Sequence, residues 1–376
     1  MAHYKISDVA VEVNERENNP ANSQYERFVG LEHYVSGEVI IRNYGSTQNL
    51  ESTMKIFKSG DVLVARRNVY LKRAATVDFD GLTSGDSIVL RAKNPIIGRI
   101  LPFVLNTDEF WDFADQYSDG TMSKRLSPKT LMTYEFDLPG EEELESFADL
   151  LWTANDTRES YQELLRQTDE LVKSQFIEMF GDPNELPEEA LTTIGKLTTV
   201  VTGATPSRKR SDYYDGTIPW VKTGEIEQGI ITGAEECITE LAVSETNCKI
   251  LPVNTIMLAM YGVGKTRGQS GILKIEAATN QACAAILPSE TYDPQFLLYF
   301  LRNQYEAIRR LGQGTQQTNL NLSIVRGIAV PKASLAKQRE YSAFVEQSDK
   351  SKFEIKKAIE NTSALIKSLM QQDLSN

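Results

Sequence analysis

Histidine is almost missing from this chain: His3 and His33 are the only two in 376 residues. Without imidazole to serve as ligand or base, a zinc centre and a Ser-His-Asp machine both lose their usual parts. Cysteine is nearly as scarce. Cys237, Cys248 and Cys283 are odd in number and widely spaced, which suits reduced thiols and not a disulfide framework. No apolar run approaches the roughly 18 residues of a membrane span, and the start MAHYKISDVAVEVNERENN lacks the basic, apolar and small-residue order of a signal peptide. A cytoplasmic protein without a membrane partner is expected.

Positive charge is also in deficit, with 40 Lys and Arg against 52 Asp and Glu, a net charge of −12. An acidic protein should repel nucleic acid, but the excess is local. Residues 141–190 hold 3 basic and 15 acidic side chains, whereas 1–140 hold 16 and 19, 191–331 hold 13 and 12, and 332–376 hold 8 and 6. The two long stretches are close to neutral, so DNA binding by them stays open.

Both long stretches carry short β-type runs, such as GEVIIR, GDVLVA, DSIVLR, TIMLAM, SGILKI and CAAILP, separated by Gly, Pro, Asn and Asp. Helical patches such as Pro294 to Leu311 lie between them. Residues 144–179 differ: Leu144, Phe147, Leu151, Ala154, Arg158, Tyr161, Leu165, Thr168, Val172, Gln175 and Met179 form a mostly apolar heptad seam. Gly181-Asp182-Pro183 then stops the helix. A second seam follows at Tyr341, Val345, Ser348, Lys352, Ile355, Ile359, Thr362, Ile366 and Leu369. The reading is four parts: globular domains at 1–140 and 191–331, helical spacers at 141–190 and 332–376.

The alternation is an internal repeat. VGLEHYVSGEVIIRN can be laid on VKTGEIEQGIITGAE, GDVLVARRNVYLKRAA on NTIMLAMYGVGKTRGQ, and SDGTMSKRLSPKTLMTYEFDLP on GQGTQQTNLNLSIVRGIAVP. The fold class expected is α+β: two mixed α/β domains in pseudo-twofold repeat, separated by two long helices that form an antiparallel coiled coil.

Within the second domain YGVGKTRGQSG resembles a phosphate-binding loop, but the pattern needs Gly five residues before Gly264 and the chain has Ala259. A helix must also follow, and RGQSGILKIEAA reads as a β-run. A hairpin tip fits better. In the repeat, Ala65 matches Ala259 and Arg73 matches Arg267, so a basic, tyrosine-bearing tip is what both copies share. Arg66, Arg67, Asn68, Tyr70, Lys72 and Arg73 form one tip; Tyr261, Lys265, Arg267 and Gln269 form the other. Such side chains neutralise phosphates or pair with base edges. A second shared element, GTMSKRLS against GTQQTNLN, adds Lys124 and Arg125 on one side and Gln316, Gln317 and Asn319 on the other.

TGATPSRKRSDYYDGTIPWVKTGEI (Thr202 to Ile226), GTQQTNLN, the following IAVP and LVKSQFIEMFGDP resemble the specificity subunit of type I restriction-modification enzymes. The first domain departs from the pattern, with no TGxTPS and no IPWV before VGLEHYVSG. The resemblance implies two target recognition domains, each reading half of a split, asymmetric sequence in double-stranded DNA. It adds Arg208, Lys209 and Lys222 to the candidate contacts. It further implies helices that set the unread gap and dock methyltransferase subunits, through seam residues such as Leu151, Tyr161, Leu165 and Val172 on one helix and Val345, Ile355, Ile359 and Ile366 on the other. Restriction or translocase subunits are further partners of the family. A helix of 36 residues is roughly 54 Å long, enough to hold two reading heads several base pairs apart.

Catalysis is expected elsewhere. An Asp/Asn-Pro-Pro-aromatic motif and a cofactor loop after a strand are both missing, so the chain should bind no cofactor, with S-adenosylmethionine held by the partner methyltransferase. Glu354-Ile355-Lys356 reads as a solvated helix face and not as part of a nuclease. A coiled-coil adaptor with no DNA affinity and a self-contained DNA-modifying enzyme are the alternatives.

Overall fold

The computed structural model describes residues 2–120, 123–262, 264–312 and 319–372. It divides into two compact units: one runs up to Leu164 and takes in the chain from Ile355 onward, and the other is Leu165–Glu354.

The first unit is organised by β1 (Ala10–Val13), β2 (Val62–Ala65), β3 (Ala74–Thr76) and β4 (Ser87–Ala92), which lie in the order β1-β4-β2-β3 and pair antiparallel throughout. Strand β2 is VLVA, apolar at every position and buried along its length. Its side chains alternate between two cores, as a pleat requires. Val62 and Val64 join Ile88 and Leu90 under α1 (Pro95–Val104) and α2 (Asp108–Gln116), while Leu63 and Ala65 join Val29, Phe57 and Val89 on the other face. Helix α1 starts where it does because Pro95 occupies its first turn and the Asn94 side chain accepts from Ile96 N–H. Helix α3 (Leu144–Phe180) gives its first turns to this core through Leu144, Phe147, Ala148 and Leu151.

The second unit repeats the plan with β5 (Val200–Thr202), β6 (Ile230–Ile231), β7 (Ile256–Ala259), β8 (Ser270–Leu273) and β9 (Cys283–Ile286) in the order β5-β9-β7-β8-β6. Only the edge pair β6 and β8 is parallel among the five. Ile256 and Leu258 enter one core, Met257 and Ala259 the other. Asp293 caps α4 (Pro294–Asn303) as Asn94 caps α1, again with Pro in the first turn. Next come α5 (Tyr305–Leu311) and α6 (Leu335–Gln372).

Equivalent hydrogen bonds show how far the repeat goes. Thr83 Oγ1 donates to Val29 O at 2.7 Å and Thr279 Oγ1 to Val221 O at 2.8 Å. Ser127 and Asn321 each cap a short helix three residues on. Gly30 N–H donates to the His33 ring and Lys222 N–H to the Glu225 carboxylate, closing the same turn with different side chains.

The helical seam drifts from the heptad expected. At the end of α3, Phe176 and Phe180 are buried where the heptad puts Gln175 and Met179, and near the end of α6 it is Met370 and not Leu369. A straight helix repeats every 3.6 residues, so a 3.5-residue stripe slides off a globular core within a few turns. Phe176 and Phe180 pack with Phe296 and Tyr341, a denser contact than either predicted residue offers. Helix α3 ends as expected, at Gly181 in the left-handed region with φ 81°. The three cysteines are free thiols; burial pushes Cys283 up to about 12.

Candidate nucleic-acid interface

The loop from β2 to β3 contains nine residues between the paired Val64 and Ala74. It is not a bare hairpin tip. Arg66 O accepts from Leu126 N–H at 2.8 Å, and Asn68 N–H donates to Lys124 O at 2.9 Å, so the segment 123–126 lies along it. Both shared elements of the first half therefore form one surface. Val69–Leu71 makes a single 3-10 turn whose flanking residues, Asn68 and Lys72, adopt φ 56° and 48°. Val69 is buried beneath the turn, and Tyr70 is 64% exposed above it.

The cations of this surface are held by carboxylates. Asp86 takes Arg125 at 2.9 Å and Arg67 at 3.7 Å, Asp115 takes Lys124 at 2.5 Å, and Asp108 takes both Lys72 at 2.9 Å and Lys367 at 2.5 Å. Hydrogen bonds from Lys367 and then Lys72 bring the Asp108 carboxyl down to about 2. Pairs this exposed are each worth ~0–1 kcal/mol, so a phosphate can displace the carboxylate at little cost. Arg66 donates to Leu126 O at 3.2 Å, and the Asn68 carboxamide oxygen accepts from Ser123 Oγ at 3.0 Å. Arg73 departs from the contact role expected of it. Its guanidinium donates to Leu31 O at 3.0 Å and Arg67 O at 3.1 Å, which staples the loop and leaves the side chain half-buried.

The loop from β7 to β8 has eleven residues between the paired Leu258 and Ser270. Ala65 N–H donates to Arg73 O, and Ala259 N–H to Gln269 O, so Gln269 and not Arg267 stands where Arg73 does. Equal-length matching misses this because two residues are inserted in the second copy. Leu320 N–H donates to Met260 O at 3.1 Å, the counterpart of Leu126 on Arg66. Tyr261 and Lys265 are exposed, Arg267 and Gln269 half-buried, and Asn319 exposed beside them; Gln316 and Gln317 lie outside the described residues. Helix α5 holds the loop from behind: Tyr305 Oη donates to Lys265 O at 2.5 Å and Arg309 to Gly264 O at 2.7 Å.

Arg208 grips Glu236 with two bonds of 3.0 and 2.8 Å and lies over the Tyr214 and Trp220 rings at 4.4 and 5.5 Å. That contact raises Arg208 and lowers Glu236 from their ordinary ranges. Lys222 reaches Glu235 and Glu236 at 3.6 and 3.8 Å, while Lys209 is exposed. Ser123 stands in GTMSKRLS beside Lys124 and Arg125 and braces Asn68, whereas Asp86, Tyr305 and Arg309 shape the surface without having been singled out, since nothing local in the chain marks them as partners of a distant loop.

The seam residues divide. Leu151, Val172 and Val345 are interior, at 0%, 6% and 0% exposure, so they hold each unit together and offer nothing to a partner. Tyr161, Leu165, Ile355, Ile359 and Ile366 are half-buried. The exposed apolar side chains of the long helices are others: Leu150, Leu164, Leu171 and Ile177 on α3, Phe353 and Leu365 on α6. Leu150, Leu164 and Leu171 fall on one heptad stripe. Among the described residues no cluster of three or more His, Cys, Asp or Glu is placed to hold a metal, and no helix is long and apolar enough to cross a membrane.

Residues 190–362 match the family model of the type I restriction modification DNA specificity domain. The chain is 25% identical over 126 residues to the type I restriction enzyme EcoR124I/EcoR124II specificity subunit of Escherichia coli, which is 33% of this chain and 31% of that one. It is 28% identical over 155 residues to the MjaIX specificity subunit of Methanocaldococcus jannaschii, 40% of this chain and 35% of that one. These matches thus span about a third of the length of either relative. Its fold resembles a solved chain from work on complex assembly and conformational transition of the type I R-M system, at TM-score 0.59 and 18% identity, covering 99% of this chain and 96% of that one. A type I restriction-modification S subunit from M. genitalium is similar at TM-score 0.58 and 14% identity, with 99% and 95% covered. With residues 190–362 matched to the type I restriction modification DNA specificity domain and a fold shared with these solved chains along nearly its whole length, the chain is similar to type I restriction-modification specificity subunits.

Proposed function

We propose that this chain is the DNA-reading subunit of a type I restriction-modification complex, each unit reading one half of an asymmetric bipartite site. One observation carries the reading. Two topologically equivalent loops, each joined to an equivalent second segment by the same backbone bond, carry unrelated side chains: ARRNVYLKR in one and AMYGVGKTRGQ in the other. A scaffold kept while its tips diverge suits two heads of one design that read different bases.

The two long helices, in this reading, pair antiparallel between the target recognition domains 1–140 and 191–331 in pseudo-twofold repeat. Helix α3, at 37 residues and 1.5 Å each, is about 55 Å long and sets the unread gap. The methyltransferase subunits dock on the helices, with exposed apolar side chains such as Leu150 and Leu164 in the first unit as contacts, and bring S-adenosylmethionine and the catalytic groups, while this chain binds no cofactor. Restriction or translocase subunits join the same complex in the cytoplasm.

Sequencing methylated adenines in cells that express the chain with its methyltransferase partner tests this directly. One split motif should be present and should vanish on deletion of the chain. Replacing residues 66–73 should change one half of the motif and leave the other. Methylation that persists without the chain, or that changes in both halves at once, would count against the reading.

A further inference from the structure

On the proposed reading of DNA by the first unit, its loop does more than carry charge. We infer that Tyr70, backed by Leu71, is an apolar wedge that enters a base step at the first half-site, so that this unit selects sequence partly by how easily that step unstacks.

The wedge is exposed and firmly mounted. Tyr70 is 64% and Leu71 38% exposed, while Val69 immediately before them is 2% exposed and anchored in the core. The turn under them is closed by Leu71 N–H on Asn68 O and Lys72 N–H on Val69 O, both 2.9 Å. At its ends Asn68 and Lys72 have φ of 56° and 48°, the left-handed region that residues with a side chain seldom adopt. Strain of this kind persists where the surroundings over-determine it and concentrates at functional positions. Here the backbone bond from Asn68 N–H to Lys124 O at 2.9 Å and the Ser123 hydroxyl bond to Asn68 brace the turn.

The neighbours identify the occupant. Arg66, Arg67, Lys72, Lys124 and Arg125 stand on the same two segments, so cations able to meet phosphates share this surface with the ring. One tyrosine and one leucine are far too little apolar area for a protein interface, which needs roughly 1,200 Å² in total. Inserted apolar side chains do unstack and kink a duplex, most readily at pyrimidine–purine steps. Among the described residues of the second unit's loop, Gly262, Gly264 and Gly268 take φ of 144°, 61° and 87°, a backbone that can adapt to the groove.

The test uses the full chain assembled with its methyltransferase partner and duplexes carrying the motif found by methylation mapping. In each duplex 2-aminopurine replaces one base, step by step, through both half-sites. A fluorescence rise at a single step of the first half-site is expected for the native chain and for Tyr70→Phe, which keeps the ring. Tyr70→Ala should lose the rise and bind the intact duplex about 10-fold more weakly, the scale of one lost stack. A mismatch at that step, which is already unstacked, should bring the variant within about 3-fold of the native complex. Sequence-specific binding with no rise at any step, or with a rise that Tyr70→Ala retains, overturns the wedge and leaves DNA reading intact. Failure of the native complex to prefer the motif over unrelated duplex overturns both.

Discussion

Replacing Asp86 by Asn should strengthen binding to DNA, although it removes two ion pairs. Asp86 lies 2.9 Å from Arg125 and 3.7 Å from Arg67, with all three side chains between 28% and 48% exposed. In so wet a setting each pair is worth ~0–1 kcal/mol, so the carboxylate withholds at most about 2 kcal/mol from a competing phosphate. At 1.4 kcal/mol per tenfold, that is up to roughly 30-fold in affinity. The amide keeps the shape, and the backbone bond from Arg66 N–H to Asp86 O is untouched. Fluorescence anisotropy with a labelled duplex, repeated between about 50 and 200 mM salt, reads the effect. Asp86→Asn should bind about 5- to 30-fold tighter at the low end, and the gap should narrow as screening over ~10 Å takes hold. Unchanged affinity would mean that these guanidiniums do not meet phosphate. Weaker binding at every salt would refute the reasoning in another way, because Asp86 would then be orienting the two arginines and not holding them back.

Phe176→Ala should cost the second unit about 3–5 kcal/mol in chemical denaturation, because this ring is 2% exposed and touches Phe180, Phe296, Phe300 and Tyr341. Gly203→Ala places a Cβ 1.8 Å from Thr279 O, so the backbones must part and thermal unfolding should drop sharply; Gly224→Ala, with nothing within 4 Å, should stay within about 0.5 kcal/mol of native. Asp108, held down to about 2 by Lys367 and Lys72, contributes stability that is fully present above its unfolded value near 3.8 and lost as pH falls through about 2. Asp108→Asn should therefore flatten the stability profile between about pH 4 and 2 and leave the profile above pH 6 parallel to native.

Much of the plan was legible because it rests on periodicity. The four-residue apolar runs at Val62–Ala65 and Ile256–Ala259 are strands buried on both faces, the loop after the second is expected from its glycines and the β-run that follows and the loop after the first from the repeat, and the Gly181 stop is where the chain places it. Laying Leu126 on Leu320 and Val29 on Val221 was right to the residue, since these positions make the same backbone bonds in both units. The loop matching failed, because a loop has no period to betray two inserted residues. The seam failed at its ends for the opposite reason: a period was there, but the shape of the core decided which turn to follow.

The candidate site shows the same division between what composition announces and what distance decides. Basic residues at 66–73, 124–125 and 208–209 are visible in the chain. Their roles are not. Arg73 is spent on two carbonyl groups and Arg208 on Glu236 and two rings, while Tyr70 is lifted into solvent on a strained turn. A sequence determines which side chains are present and which faces of helix and strand are apolar, because those follow from order along the chain. Only the tertiary structure decides which charge is neutralised and which is offered, because Asp86, Asp108 and Asp115 meet their partners across separations that no local rule connects.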